Sequence, residues 1–223
     1  SISEKTAYNL FIIFNVIGVA LGFYLSHSVG KSAYFSIFVV ISALLYIYSS
    51  YLKQLLIIGN VVVSILVAAS ILIVGLFELT PNITPTNRDI QLTFFKILLD
   101  YAIFAFMINL LREIAKDIED IDGDYKVGMN TLPIAIGRKR AKTILIALQL
   151  IPLLFIIHYV ISELYKQPIA VVYFLICVVG PLIYISIKLF SAKTKEDFHH
   201  ISSLYKLVLF LGMLSLLLYL FIL

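Results

Sequence analysis

The sequence predicts an all-α protein, a polytopic bundle of membrane helices. Of its 223 residues, 61% are hydrophobic and only 13% are charged, and the mean hydropathy is +1.04. A chain of this composition cannot fold as a soluble globule without exposing a large apolar area. The strict alternation typical of a transmembrane β-barrel does not occur in the sequence, so the spans are predicted to be helices.

Seven stretches of the chain are long and apolar enough to cross a bilayer, which takes roughly 20 residues as a helix. They cover about residues 7–28, 33–50, 55–78, 92–115, 141–161, 169–190 and 204–222. A tight turn at residues 29–32 makes the first two antiparallel. Gly18 and Gly22, four residues apart, would let a neighbouring helix approach closely. Gly123 is expected to end or bend the helix that follows the fourth span.

The basic residues predict the orientation, because cytoplasmic loops are enriched in Lys and Arg. With a cytoplasmic N-terminus, the cytoplasmic side carries thirteen Lys and Arg residues and the opposite side four. The net charge of +4 therefore reflects membrane topology, and no nucleic-acid-binding motif is present. Cys177 is the single cysteine, which excludes a disulfide within the chain and a cysteine-based metal site.

The most informative feature of the sequence is an acidic stretch directly after the fourth span. Residues 113–124 hold six of the thirteen acidic residues of the chain. On a helix, four of these side chains fall within about 60° of one another, whereas Asp122 points the opposite way and Glu119 lies off the face. The shared face carries Glu113, Asp117, Asp120 and Asp124.

Carboxylates on one face repel each other unless a cation lies among them. Mg²⁺ is typically held by one or two carboxylates together with substrate phosphates, so the pattern indicates a phosphate-bearing substrate at the membrane surface. The alternative interpretation is a solvated helix face in which Glu113 and Lys116 form ordinary ion pairs.

A second group of candidates follows the second span. Lys53 lies between the second and third spans, with Asn60 about two turns further on. A lysine near a carboxylate site would hold a diphosphate as a point charge. The alternative is a lysine that extends to the membrane interface, as many loop-flanking lysines do.

Residues 112–138, which run from Arg-Glu-Ile-Ala-Lys-Asp through Gly-Asp to Thr-Leu-Pro and Gly-Arg, resemble the second aspartate-rich motif of UbiA-type intramembrane prenyltransferases. The Lys-Asp-Ile-Glu-Asp core and the Thr-Leu-Pro ending are most similar to the digeranylgeranylglyceryl phosphate synthase subgroup. Family members have nine helices and two such motifs. The resemblance implies that residues 1–223 form a single transmembrane prenyltransferase domain that is N-terminally incomplete, without the first motif and the first two helices, and therefore inactive alone.

The resemblance also implies which residues act. Asp117, Asp120 and Asp124 would be catalytic residues that bind Mg²⁺, and the diphosphate would be bound by Lys53, Asn60, Arg112 and Lys126. The substrates would be a prenyl diphosphate, best represented by geranylgeranyl diphosphate, and a lipid-like acceptor.

The expected function is Mg²⁺-dependent prenyl transfer in the cell membrane, with the aspartates on the cytoplasmic side. The best candidate for the acceptor is geranylgeranylglyceryl phosphate, and Arg138 to Arg140 would bind its phosphate. Alternatives that stay open are prenylation of an aromatic quinone precursor, a cation transporter, and an inactive assembly partner.

Overall fold

The computed structural model describes residues 3–219 of the chain. It contains seven helical segments long and apolar enough to span a membrane, which confirms the predicted helix bundle. The end of the seventh predicted span, residues 220–222, lies outside the described part of the chain.

The elements follow one another with short connections. The α-helices and strands are α1 (Glu4–Ser28), α2 (Phe35–Ser50), β1 (Leu55–Leu56), α3 (Ile58–Glu78), α4 (Arg88–Lys126), β2 (Asn130–Thr131), α5 (Leu132–Ile136), α6 (Arg138–Ser162), α7 (Pro168–Phe174), α8 (Gly180–Ser191) and α9 (Lys195–Leu214). A π-helical turn over Leu175–Val179 makes α7 and α8 one membrane-spanning segment.

Helix α4 is the central element of the bundle and packs against α3, α6 and α9. Its 39 residues give it a length of about 58 Å, nearly twice the ~30 Å hydrocarbon core. The acidic segment is therefore a helical extension that continues past the apolar part. Of the two predicted alternatives for Gly123, the one in which it ends the helix is wrong, because Gly123 lies inside α4. The helix ends at Lys126, and Gly128 adopts a positive φ of 73° just beyond it, a conformation that favours glycine.

Helices α1 and α2 form a hairpin. Of the two glycines predicted to allow close packing, Gly18 and Gly22, only Gly22 lies where the helices are in close contact. A Cβ atom added at Gly22 would lie 2.2 Å from the Phe38 ring, whereas one added at Gly18 would meet no heavy atom within 4 Å. The Ser42 hydroxyl donates to Asn15 at 2.7 Å across the hairpin. Phe38 and Tyr34 pack edge-on against Phe77 of α3, which attaches the hairpin to the bundle.

A two-stranded parallel pairing joins the two connections next to the acidic segment. Leu55 pairs with Asn130, and Leu56 pairs with Thr131. The turn before β1 contains Lys53 and lies against the start of α3 at Gly59. A Cβ atom at Gly59 would come within 2.7 Å of the Leu52 carbonyl oxygen and 2.9 Å of the Lys53 Cα. Glycine at this position therefore allows the Lys53 turn to lie directly beside Asn60.

Candidate functional site

The candidate site is built on the acidic extension of α4 and the first turn of α3. The Asn60 side-chain amide donates to Asp117 Oδ2 at 2.7 Å. Asn60 is 8% exposed, and its position at the start of α3 follows from the tight packing of Gly59 on the Lys53 turn. One oxygen of Asp117 is thereby fixed by a neutral donor, and its second oxygen keeps its full capacity to accept.

A buried polar chain continues from this contact into the membrane-spanning part of the bundle. The Ser64 hydroxyl donates to the Asn60 carbonyl oxygen at 2.6 Å, and the Asn109 amide donates to the Ser64 hydroxyl at 3.1 Å. Because buried polar groups are costly to leave unpaired, this chain fixes the register of α3 against α4 directly beneath Asp117.

Glu113 lies one turn before Asp117, and its negative charge is neutralised by basic residues of α4 itself. Its carboxylate is buried, pairs with the neighbouring Arg112, and lies 3.5 Å from Lys116. The ion pair between Glu113 and Lys116 that the alternative interpretation predicted does form. This ion pair involves only Glu113. The other three carboxylates of the shared face, Asp117, Asp120 and Asp124, are not part of it.

The remaining acidic residues confirm the helical-face prediction. Asp122 is 89% exposed and contacts Arg138 at 3.3 Å, away from Asn60. Glu119 is 11% exposed and accepts from His199 at 2.8 Å on the side that faces α9. Asp120 pairs with Lys195 at 3.1 Å. Asp124 is partly buried and forms no ion pair with any residue from 3 to 219.

The predicted diphosphate-binding residues do not all come together. Lys53 is exposed, its backbone lies against Gly59, the residue before Asn60, and within residues 3–219 it forms no ion pair. Arg112 is engaged with Glu113. Lys126, the last residue of α4, is nine residues after Asp117 and so points about 180° away from it. The structure thus joins Asn60 to Asp117 and places the backbone of the Lys53 turn next to Asn60, against Gly59. It does not bring Lys126 to them.

The donor set fits Mg²⁺ only with further ligands. In the described part of the chain, no group of three or more His, Cys, Asp or Glu side chains is close enough to hold a metal ion. Asp117 nevertheless has one oxygen free of Asn60, and Asp124 is a partly buried carboxylate on the same face. This suits an ion that usually takes one or two carboxylates and completes its shell with water and substrate phosphates.

Comparison with known proteins decides the family. The model of the UbiA prenyltransferase family matches residues 1–204. The chain belongs to this family. As a UbiA family member with seven apolar helices in its described part, it is an integral membrane protein and a prenyltransferase.

Named relatives narrow the comparison within the UbiA family. The chain is 30% identical over 219 residues to a digeranylgeranylglyceryl phosphate synthase of Methanosphaera stadtmanae, covering 95% of this chain and 70% of the relative. It is 29% identical over 228 residues to the enzyme of that name from Korarchaeum cryptofilum, covering 97% and 70%. A shorter match, 43% identical over 102 residues, joins 46% of the chain to 32% of the Pyrococcus abyssi enzyme of that name. No solved structure matches significantly.

The sequence of this UbiA family member did not predict that α9 supplies partners for the acidic segment of α4. His199 and His200 both lie in the first turns of α9. His199 and Ser202 contact Glu119, and Lys195 contacts Asp120. These partners are 75 to 83 residues apart in sequence, so no local period could link them.

Proposed function

We propose that this UbiA family member transfers a geranylgeranyl group from geranylgeranyl diphosphate to the hydroxyl group of geranylgeranylglyceryl phosphate, forming an ether lipid. The observation that carries the proposal is the contact between Asn60 and Asp117 at 2.7 Å, which fixes one oxygen of this carboxylate and leaves the other free to accept on the acidic face of α4. The names of the relatives from Methanosphaera stadtmanae and Korarchaeum cryptofilum support the choice of substrates.

The proposed donor site lies at the end of the bundle where α3 begins. Asp117, Asp120 and Asp124 would hold Mg²⁺ together with oxygens of the diphosphate. When bound, the ion would supply positive charge to a leaving group on which negative charge develops. Lys53 would contribute a mobile positive charge to the same diphosphate, and Asn60 would keep Asp117 oriented.

The reaction itself needs one bond broken and one formed. The bond between the allylic C1 carbon and the diphosphate oxygen breaks, and its electron pair leaves with the diphosphate. The acceptor hydroxyl oxygen bonds to C1 and gives its proton to the departing diphosphate, so the products are the ether and hydrogen diphosphate. The apolar bundle excludes water, which would otherwise capture the allylic carbon.

The acceptor phosphate calls for a second set of cations. Arg138 to Arg140 were the expected set, but Arg138 pairs with Asp122 on the side of α4 opposite Asp117. This contact does not favour that assignment. Lys116 is the nearer candidate, because it lies on α4 within one turn of Asp117 and is partly exposed. We assign the acceptor phosphate to Lys116 within this proposal.

We further propose that residues 1–223 form one transmembrane domain with the aspartate face in the cytoplasm. The distribution of thirteen basic residues against four supports this orientation. The charged diphosphate of the donor would then meet the site at the membrane surface, and the prenyl tails of both substrates would lie among apolar helices.

The test is a transfer assay on the full protein in lipid nanodiscs. Labelled geranylgeranyl diphosphate is offered with geranylgeranylglyceryl phosphate, or with 4-hydroxybenzoate or homogentisate, each with Mg²⁺ or with excess EDTA. We expect a Mg²⁺-dependent ether product with the glyceryl phosphate alone. A product formed only on the aromatic acids would replace the acceptor assignment, and no product with any pair of substrates would contradict prenyl transfer by this protein.

A further inference from the structure

The first turn of α9 places a lysine on one of the proposed metal-binding carboxylates. Lys195 Nζ lies 3.1 Å from Asp120 Oδ1, and the two side chains are 61% and 47% exposed. Asp120 lies on the same face of α4 as Asp117 and Asp124. The Lys195 ammonium group therefore lies at the aspartate face of α4, where the proposed function requires a divalent cation.

The backbone of Lys195 is held firmly. Thr194 accepts from the Asp197 backbone N–H at 3.3 Å, and Asp197 Oδ2 accepts from the Thr194 N–H at 2.9 Å and the Lys193 N–H at 2.8 Å. This reciprocal cap fixes the start of α9. One turn further along, His199 contacts Glu119, which adjoins Asp120. The start of α9 is therefore fixed by its own cap and, one turn after Lys195, by a contact with α4.

The Lys195 side chain, in contrast, can move. It lies mostly in solvent, whereas the Glu119 carboxylate that receives His199 is only 11% exposed. A partly exposed pair of this kind contributes little free energy, because water and salt screen the attraction. Exchange of the ammonium for a dication at Asp120 would therefore cost little. The released ammonium, on a flexible four-carbon stem, would remain beside any diphosphate bound at the aspartate face.

We propose that Lys195 is an exchangeable counter-cation of this site. In the substrate-free protein it neutralises Asp120, and when a dication occupies Asp120 it moves to an oxygen of the diphosphate. The inference rests on the proposed function and adds one diphosphate-binding residue to it. It predicts opposite effects of a single substitution on two binding reactions, which a merely structural lysine would not produce.

The first measurement is binding of Mn²⁺ alone, followed by electron paramagnetic resonance of the free ion. Lys195→Gln removes the competing charge, so we expect Mn²⁺ to bind about two- to fivefold more tightly than to the unmodified protein. Lys193→Gln is the matched control, because Lys193 lies two residues away and its side chain forms no ion pair within the described chain. It should leave Mn²⁺ affinity unchanged.

The second measurement is binding of geranylgeranyl thiolodiphosphate, a non-reacting analogue, in saturating Mg²⁺. Lys195→Gln should weaken this binding about tenfold, the loss of one charge-assisted contact, and Lys195→Arg should restore most of it. Unfolding midpoints of all variants should match, since the pair is exposed.

The outcomes separate the two claims. If Lys195→Gln changes neither affinity while the unmodified protein binds both ligands, Lys195 is a surface residue and the inference is overturned, with the proposed function intact. If Lys195→Gln weakens both affinities, the lysine is not a competitor and the exchange is also overturned. If the unmodified protein binds neither Mn²⁺ nor the analogue, the proposed function and the inference fail together.

Discussion

Asn60 and Asp117 connect α3 to α4 through a single hydrogen bond of 2.7 Å. Within residues 3–219, no other hydrogen bond or ion pair joins two predicted site residues from different helices. Asn60→Ala should lower kcat/KM for prenyl transfer about tenfold or more, the usual worth of a hydrogen bond to a charged group. Asn82→Ala, which removes an exposed amide that bonds to Glu78, is the control and should have no effect. A normal rate for Asn60→Ala would show that Asp117 needs no orientation by α3.

The aspartate face predicts unequal effects of three alanine substitutions. Asp117→Ala and Asp120→Ala should abolish turnover, whereas Asp122→Ala should remain within about twofold of the unmodified protein, because its exposed pair with Arg138 contributes little. The measurement is kcat in nanodiscs at matched amounts of folded protein. Equal losses at all three positions would contradict the assignment of function to one face.

The contact between His199 and Glu119 predicts coupling between α4 and α9. Glu119→Ala removes the carboxylate that accepts from His199 and Ser202, although Ser202 keeps the His199 carbonyl oxygen as an acceptor. It should lower the free energy of unfolding by about 0.5–1.5 kcal/mol. A double-mutant cycle with His199→Ala, measured by denaturant unfolding in detergent micelles, should give a coupling energy above about 0.5 kcal/mol. Additive effects would mean that the two side chains do not interact in the folded protein.

The α1–α2 hairpin offers a matched pair of glycine substitutions. Gly22→Ala places a Cβ atom on the Phe38 ring, whereas Gly18→Ala enters open space. Overpacking should make Gly22→Ala less stable by about 1–3 kcal/mol, and Gly18→Ala should be neutral or slightly stabilising, because alanine is the better helix former. Thermal unfolding in micelles measures both. If the two variants unfold at the same temperature, the close contact at Gly22 does not exist.

The charge distribution predicts which end of the bundle faces the cytoplasm. In a Cys177→Ser background, a single cysteine introduced by Thr86→Cys should react with a membrane-impermeant maleimide added outside intact cells, and one introduced by Asp122→Cys should react only after lysis. The reverse pattern would place the aspartate face outside the cell.

Much of the fold could be predicted because membrane spans leave a local signal. An apolar run of about 20 residues is sufficient to identify a spanning helix, and the seven predicted spans match the seven apolar helices of the described chain. The face shared by Asp117, Asp120 and Asp124 was predictable for the same reason, since helical periodicity is a local property.

The partners of that face could not be predicted, because they are distant in sequence. Asn60 is 57 residues from Asp117, and Lys195 is 75 residues from Asp120. Gly123 does not end the helix, because glycine lowers helix propensity by only about 1 kcal/mol. The continuous packing of α4 overrides this cost. The actual helix end depends on Gly128 with its positive φ.

The most direct test of the central claim is Mg²⁺-dependent binding of geranylgeranyl thiolodiphosphate to the unmodified protein and to Asp117→Asn, which keeps the size of the side chain and removes its charge. The unmodified protein should bind the analogue at least about tenfold more tightly with Mg²⁺ than with EDTA, and Asp117→Asn should lose that difference. An equal Mg²⁺ effect in both proteins would contradict the claim that the aspartate face holds the ion and, through it, the diphosphate.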